Sequence, residues 1–170
     1  MPLNLKIKLL RDVQAPIRAT PGSAGFDLRL PFRVKVLYGG FAQELDEAGN
    51  VLREFENGLV PLGFSTGFEK GFAGRIIPRS GLGCKVGLRL RNTSGLIDSD
   101  FDLEWMAALR CDMQQASAII EKNERICQVY FAPVEMPEEM VLEGLDGEIS
   151  TVPAFFDIAR EGGIGSTGTT

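Results

Sequence analysis

The sequence contains no histidine. That removes the commonest general base and the commonest side-chain metal ligand, and with them Ser-His-Asp hydrolysis and histidine-based zinc chemistry. Cysteine is scarce too: Cys84, Cys111 and Cys127 are odd in number and lack CxxC spacing. Neither a disulfide framework nor a zinc finger is indicated, and buried free thiols are expected. No apolar run approaches the roughly 20 residues that span a bilayer, and the opening Met-Pro-Leu-Asn-Leu-Lys lacks the apolar stretch of a signal peptide. No membrane partner is expected, and the expected location is cytoplasmic. A net charge of −5 disfavours nucleic-acid binding through the surface as a whole. Catalysis by this chain is therefore left to carboxylates, basic side chains, hydroxyls, backbone donors or a metal carried in on a ligand.

What is present fits one globular domain. The 170 residues are 44% hydrophobic and 24% charged, enough to bury a substantial core. Short apolar or alternating runs recur at 6–10, 33–38, 41–45, 51–55, 59–64, 72–77, 86–90, 105–113, 117–120 and 125–134, separated by Gly, Pro, Asn or Asp. That punctuation predicts many short strands and hence a sandwich, jelly roll or barrel. Asp46-Glu47-Ala48-Gly49-Asn50 reads as a hairpin loop, and one short helix is expected to start near Ser80 with that serine as its cap.

Two neighbouring segments carry opposite charge. From Arg75 to Arg91 there are five basic residues and no acid, which concentrates positive potential for an anionic ligand. Within it, Pro78 fixes the chain, Arg79 offers a planar fork for phosphate oxygens, and Gly81 allows close backbone approach at a helix start. Asp98, Asp100, Asp102 and Glu104 follow. On a straight strand all four share one face, and solvation accounts for Asp102 and Glu104. Asp98 differs, because it follows the apolar pair Leu96 and Ile97; a carboxylate partly buried near phosphates can orient and deprotonate water.

These residues fall into five short motifs that resemble those of the homotrimeric dUTP diphosphatase (dUTPase) family, in the family's order. Residues 23–28, SAGFDL, are similar to AGxDL; residues 78–83, PRSGLG, resemble PRSGL(A/G); residues 95–101, GLIDSDF, resemble GxIDxDY. Residues 124–128, ERICQ, are similar to ERIAQ, and residues 162–168, GGIGSTG, to the phosphate-covering GGFGSTG. The resemblance implies an all-β distorted jelly roll (β-clip) with one short helix. It divides the chain into a β domain at 1–158, with 38–57 as an inserted surface hairpin, and a flexible glycine-rich arm at 159–170.

It also implies an activity, the hydrolysis of dUTP to dUMP and diphosphate, which limits uracil in DNA and supplies dUMP for thymidylate synthesis. Mg²⁺ would be bound mainly through the triphosphate, and sites would be shared between the subunits of a homotrimer. Carried over by motif, Asp98 is the base that activates water, while Arg79, Ser80, Gly81 and Gln128 contact phosphates. Asn92, Gly95 and Ile97 belong to the hairpin that reads uracil, and Phe101 packs against the deoxyribose. Asp27 orients an arginine or a metal-bound water, and Arg160, Gly165, Ser166 and Thr167 close over the phosphates from the arm.

The chain departs from the family pattern in places. Phe101 stands for Tyr, Leu103 for Gly, and Ile164 for the aromatic that stacks on uracil, an exchange worth roughly 0.5 to 1.5 kcal/mol. Arg160 also lies one residue closer to Ile164 than the family spacing. Two other readings compete. The related dCTP deaminase needs a glutamate where Ala108 stands here, between Ala107 and Leu109. A non-catalytic, regulatory dUTPase-like protein would bind nucleotide and a protein partner through the extra hairpin. A Walker-type site is excluded, since the glycine run is followed by no lysine.

Overall fold

The structure, a computed structural model, describes residues 3–112 and 117–154. The first eight strands are β1 (Lys6–Leu9), β2 (Ile17–Arg18), β3 (Phe26–Arg29), β4 (Arg33–Leu37), β5 (Ala42–Leu45), β6 (Val51–Phe55), β7 (Leu59–Pro61) and β8 (Phe64–Gly67). After β9 (Phe72–Pro78) comes the helix α1 (Ser80–Lys85). Then follow β10 (Leu88–Leu90), β11 (Gly95–Ile97), β12 (Met106–Cys111), β13 (Ser117–Ile120), β14 (Arg125–Pro133), β15 (Glu139–Glu143) and β16 (Ile149–Pro153). The expected all-β jelly roll with one short helix is what forms. No helix among the described residues is long and apolar enough to cross a membrane.

Alternation within the strands builds the core. Val34 and Val36 on β4, and Ala107, Leu109 and Cys111 on β12, point inward between half-exposed neighbours. They meet Leu28, Leu30, Val60, Leu62, Phe64 and Trp105, all essentially inaccessible to solvent. The central sheet has the order β11-β9-β14-β3-β2, and a second runs β13-β4-β5-β6. β14, paired along both edges, carries a register shift between Arg125 and Cys127. The extra residue turns Ile126 and Cys127 both inward, and such a bulge re-aims the side chain before it. That side chain is Arg125.

Some expected runs change form. Residues 59–64 split into β7 and β8 at Gly63, whose φ of +81° no branched residue accepts easily. The run 86–90 shortens to β10 because Val86 caps α1 and Gly87 takes φ +67°. Residues 98–104 form turns rather than a strand, so the four carboxylates do not share one face. The 46–50 loop does close a hairpin, with Asp46 accepting from the backbone and side-chain nitrogens of Asn50. That hairpin is more than surface elaboration: Ala42, Leu45 and Phe55 are buried, and Phe55 stacks on Phe32 at 5.7 Å.

Candidate active site

The centre of the sheet gathers three of the motifs. Asp27 on β3 is buried, and Gln128 on β14 lies opposite it, with Ile77 of β9 on the other side of Gln128. Asp27 Oδ1 pairs with Arg79 Nε at 3.3 Å, and Arg125 Nη1 donates to Asp27 Oδ2 at 3.1 Å. Arg79 Nη1 also donates to the Arg125 carbonyl oxygen at 3.2 Å. A buried carboxylate is costly unless paired, and here each oxygen has a guanidinium. Arg79 is thereby held at the end of β9 with the rest of its fork half-exposed.

Neighbouring groups complete this side. Arg79 is the N-cap of α1, and no side chain caps the helix; Ser80 is the first helical residue rather than the cap expected from sequence. The helix start stays open because a guanidinium has no acceptor to offer its free N–H groups. A Cβ on Gly81 would meet nothing within 4 Å, whereas one on Gly25 would come within 3.0 Å of Gln128 Oε1. Gly25 thus seats the glutamine, and the space over Gly81 is left to solvent or ligand. Sequence reasoning gives Arg125 no role, although the residue lies inside the fourth motif. Its function depends on the β14 bulge, which local pattern does not announce.

The third motif forms an edge. β11 pairs with β9 through Gly95 with Ile76, Leu96 with Arg75 and Ile97 with Gly74. The hairpin expected at 92–97 does not form, since β10 pairs with β12 and β11 with β9; Asn92 is exposed in the turn between them, where Thr93 takes φ +64° and Arg75 Nε donates to Ser94 Oγ at 3.3 Å. Asp98 is half-buried, as expected, and its carbonyl oxygen accepts from Phe101 N at 3.1 Å, closing a turn. The Phe101 ring packs partly against the core of its own chain.

Within one chain the two sides stay apart. Asp98 follows Ile97, opposite Gly74, while Arg79 lies five residues farther along β9. At ~3.3 Å per residue the two ends are separated by about 16 Å. Asp98 is therefore not brought to the Asp27, Arg79 and Gln128 cluster. Arg160, Gly165, Ser166, Thr167 and the arm they belong to lie outside the described residues.

Glu104 corrects the solvated-face reading. Its Oε1 accepts from Arg11 Nε at 2.6 Å and from Gly63 N at 3.0 Å, and its Oε2 accepts from Arg11 Nη2 at 2.9 Å. The thiol expectation also needs amending: Cys111 and Cys127 are buried, but Cys84 is exposed. Burial, reinforced by the Asp27 charge, pushes the Cys127 thiol up. No group of three or more carboxylate or thiolate residues among those described is arranged to hold a metal ion. Asp27, with both oxygens on arginines, suits the orienting of Arg79 better than direct ligation.

Comparison with known proteins bears on this arrangement. The family model described as dUTPase matches residues 47–152. The deoxyuridine 5'-triphosphate nucleotidohydrolase of Paraburkholderia phytofirmans is 37% identical over 171 aligned residues, covering 99% of each chain. Among solved structures, the dUTPase from Streptococcus mutans superposes with a TM-score of 0.61 at 24% identity, over 77% of this chain and 97% of that one. A mutant dUTPase from phage phi11 of S. aureus, described with a structural Mg(II) ion, gives a TM-score of 0.63 at 16% identity, over 84% of this chain and 99% of that one.

Proposed function

The chain belongs to the dUTPase family and hydrolyses dUTP to dUMP and diphosphate, and we propose that it does so with Asp98 as the base and Arg79 as the main phosphate clamp. The observation that carries the clamp is the pairing of Arg79 and Arg125 with buried Asp27. A guanidinium preoriented in this way loses little freedom when it grips phosphate, so more of the contact is available for binding. The backbone N–H groups at Ser80 and Gly81 and the amide of Gln128 add donors beside it. Gly165, Ser166, Thr167 and Arg160 close over the phosphates in this reading.

On the nucleoside side, Asn92 and the backbone through Gly95 to Ile97 read uracil. Uracil presents an acceptor, donor, acceptor edge; cytosine has the wrong polarity and leaves buried groups unpaired. Hydrogen-bond readout of this kind supports discrimination of about 10⁴ or more. The Phe101 ring against the sugar offers a 2′-hydroxyl no partner, which excludes UTP.

For the chemical step, Asp98 accepts a proton from water as the water oxygen attacks the α-phosphorus. The bond from that phosphorus to the bridging oxygen breaks, and diphosphate leaves. Phosphoryl transfer needs positioning and charge neutralisation more than covalent chemistry, which suits a chain without histidine. Mg²⁺ bound with the triphosphate would neutralise part of its charge; Asp27 would act on it only through water, its main task being to hold Arg79. The ~16 Å between Gly74, where the Asp98 segment meets β9, and Arg79 supports a site completed by a second subunit of a homotrimer, one chain supplying the clamp and another the Asp98 turn.

The test is diphosphate release from dUTP, dCTP, dTTP and UTP with Mg²⁺. Turnover of dUTP alone is expected; equal turnover of all four would sink the reading. Asp98→Asn is expected to lower kcat by at least about 10²-fold while leaving the affinity for a non-hydrolysable dUTP analogue nearly unchanged.

A further inference from the structure

The turn that carries Asp98 and Phe101 is pinned at both ends, and the second pin lies outside the five motifs. At the first end, Ile97 is buried and paired with Gly74. At the other end Trp105 is fully buried; its backbone N–H donates to the Phe64 carbonyl at 2.9 Å and its carbonyl accepts from Leu62 N at 2.8 Å. Both ends converge on one glycine, since a Cβ on Gly74 would lie 3.3 Å from the Trp105 ring and 3.4 Å from Ile97 Cβ. Residues 98–104 thus leave the sheet and return to nearly the same point without any ladder of their own.

Glu104 is the residue where this excursion is caught. Its carboxylate binds Arg11 through both oxygens and also takes the Gly63 N–H. Gly63 is itself fixed: its carbonyl accepts from Leu10 N at 2.8 Å and Arg11 N at 3.1 Å, and a Cβ there would come within 2.9 Å of Val13. Arg11, Gly63 and Glu104 therefore form a bracket joining the segment after β1 to the return of the turn. The Arg11 side chain is 37% exposed and that of Glu104 21%, and a bidentate pair fixes direction as well as distance.

We propose that Arg11 and Glu104 are positioning residues for the chemical step, setting where the Asp98–Phe101 turn presents its carboxylate and ring. The inference rests on the reading of Asp98 as the base. Neither residue touches the nucleotide; both act through the turn. Their loss misplaces the base relative to the α-phosphorus while leaving the phosphate clamp, some 16 Å away along β9, intact.

The experiment compares Arg11→Met, Glu104→Gln, the double variant and Arg11→Lys with Asp98→Asn. Turnover is expressed per active site, with sites counted by a non-hydrolysable dUTP analogue. Each single variant is expected to bind the analogue within about twofold of wild type while kcat per site falls about tenfold to a hundredfold. The double variant is expected to be no slower than the slower single, and Arg11→Lys to regain part of the loss. Arg11→Met leaves Glu104 on Gly63 N, so it stands as the test if Glu104→Gln fails to fold. A lowered melting temperature with wild-type kcat per site would reduce the bracket to a structural role and overturn the proposal. If Asp98→Asn is inactive in that same experiment, the base reading survives that failure. If Asp98→Asn keeps its turnover, the base reading fails, and the positioning role falls with it.

Discussion

Gly58 has φ +65°, and a Cβ there would lie 2.0 Å from the Leu109 carbonyl oxygen and 2.8 Å from that of Gly40. Gly81 is the opposite case: it is helical, and a methyl added to it would have nothing of the chain within 4 Å. Alanine at the two positions should therefore separate what the fold requires from what the ligand requires. Gly58→Ala is expected to lower unfolding stability by about 3 kcal/mol or more, read by urea titration, because both backbone conformation and space forbid the methyl. Gly81→Ala is expected to leave stability equal or up to about 1 kcal/mol higher, through helix propensity. Its KM for dUTP should nevertheless rise about tenfold, since the methyl stands where phosphate oxygens approach the helix start. An unchanged KM would remove Gly81 from the phosphate site.

Among the elements, the hairpin of β5 and β6 shows how one unit serves two environments. Its outer residues Val51 and Leu52 are exposed, while Ala42, Leu45 and Phe55 enter the core. Phe55 stacks on Phe32, with the Arg53 guanidinium 4.7 Å from its ring and paired to Glu44 at 2.7 Å. Truncating this anchor creates a cavity and removes the aromatic contact together. Phe55→Ala should cost about 3 kcal/mol and lower the melting temperature by roughly 6 to 12 °C, with kcat per folded site unchanged. A fall in kcat at constant folded fraction would instead tie the hairpin to the site. α1 and β9 work differently: β9 fixes where Arg79 emerges, and α1, which follows it, buries none of its residues.

At the scale of the whole molecule, the proposed site is completed between chains rather than within one. Arg79 and the segment leading to Asp98 meet β9 about five residues apart, so the shared-site reading makes activity depend on assembly. Sedimentation at micromolar concentration should give a single species of about three times the 18.5 kDa chain mass, and dilution below the dissociation constant of the assembly should lower specific activity. A fully active monomer would contradict a shared site and require a different path from Asp98 to Arg79.

Much of this is legible in local sequence. Strand punctuation, the hairpin at 46–50, the helix at Ser80 and the half-burial of Asp98 follow from turn chemistry and hydrophobic alternation, which act over a few residues. The motifs likewise carry Asp27, Arg79, Asp98 and Gln128 in their own letters. Other features depend on contacts between distant segments. Arg125 reaches Asp27 only because of a bulge opposite β3, and Glu104 leaves the solvated class only because Arg11 and Gly63 come to it across the fold. Residue type and spacing determined which chemistry this chain has available. The pairing of strands far apart in sequence decided which charges are buried together, because a carboxylate's surroundings are set by whichever segments the core packs against it.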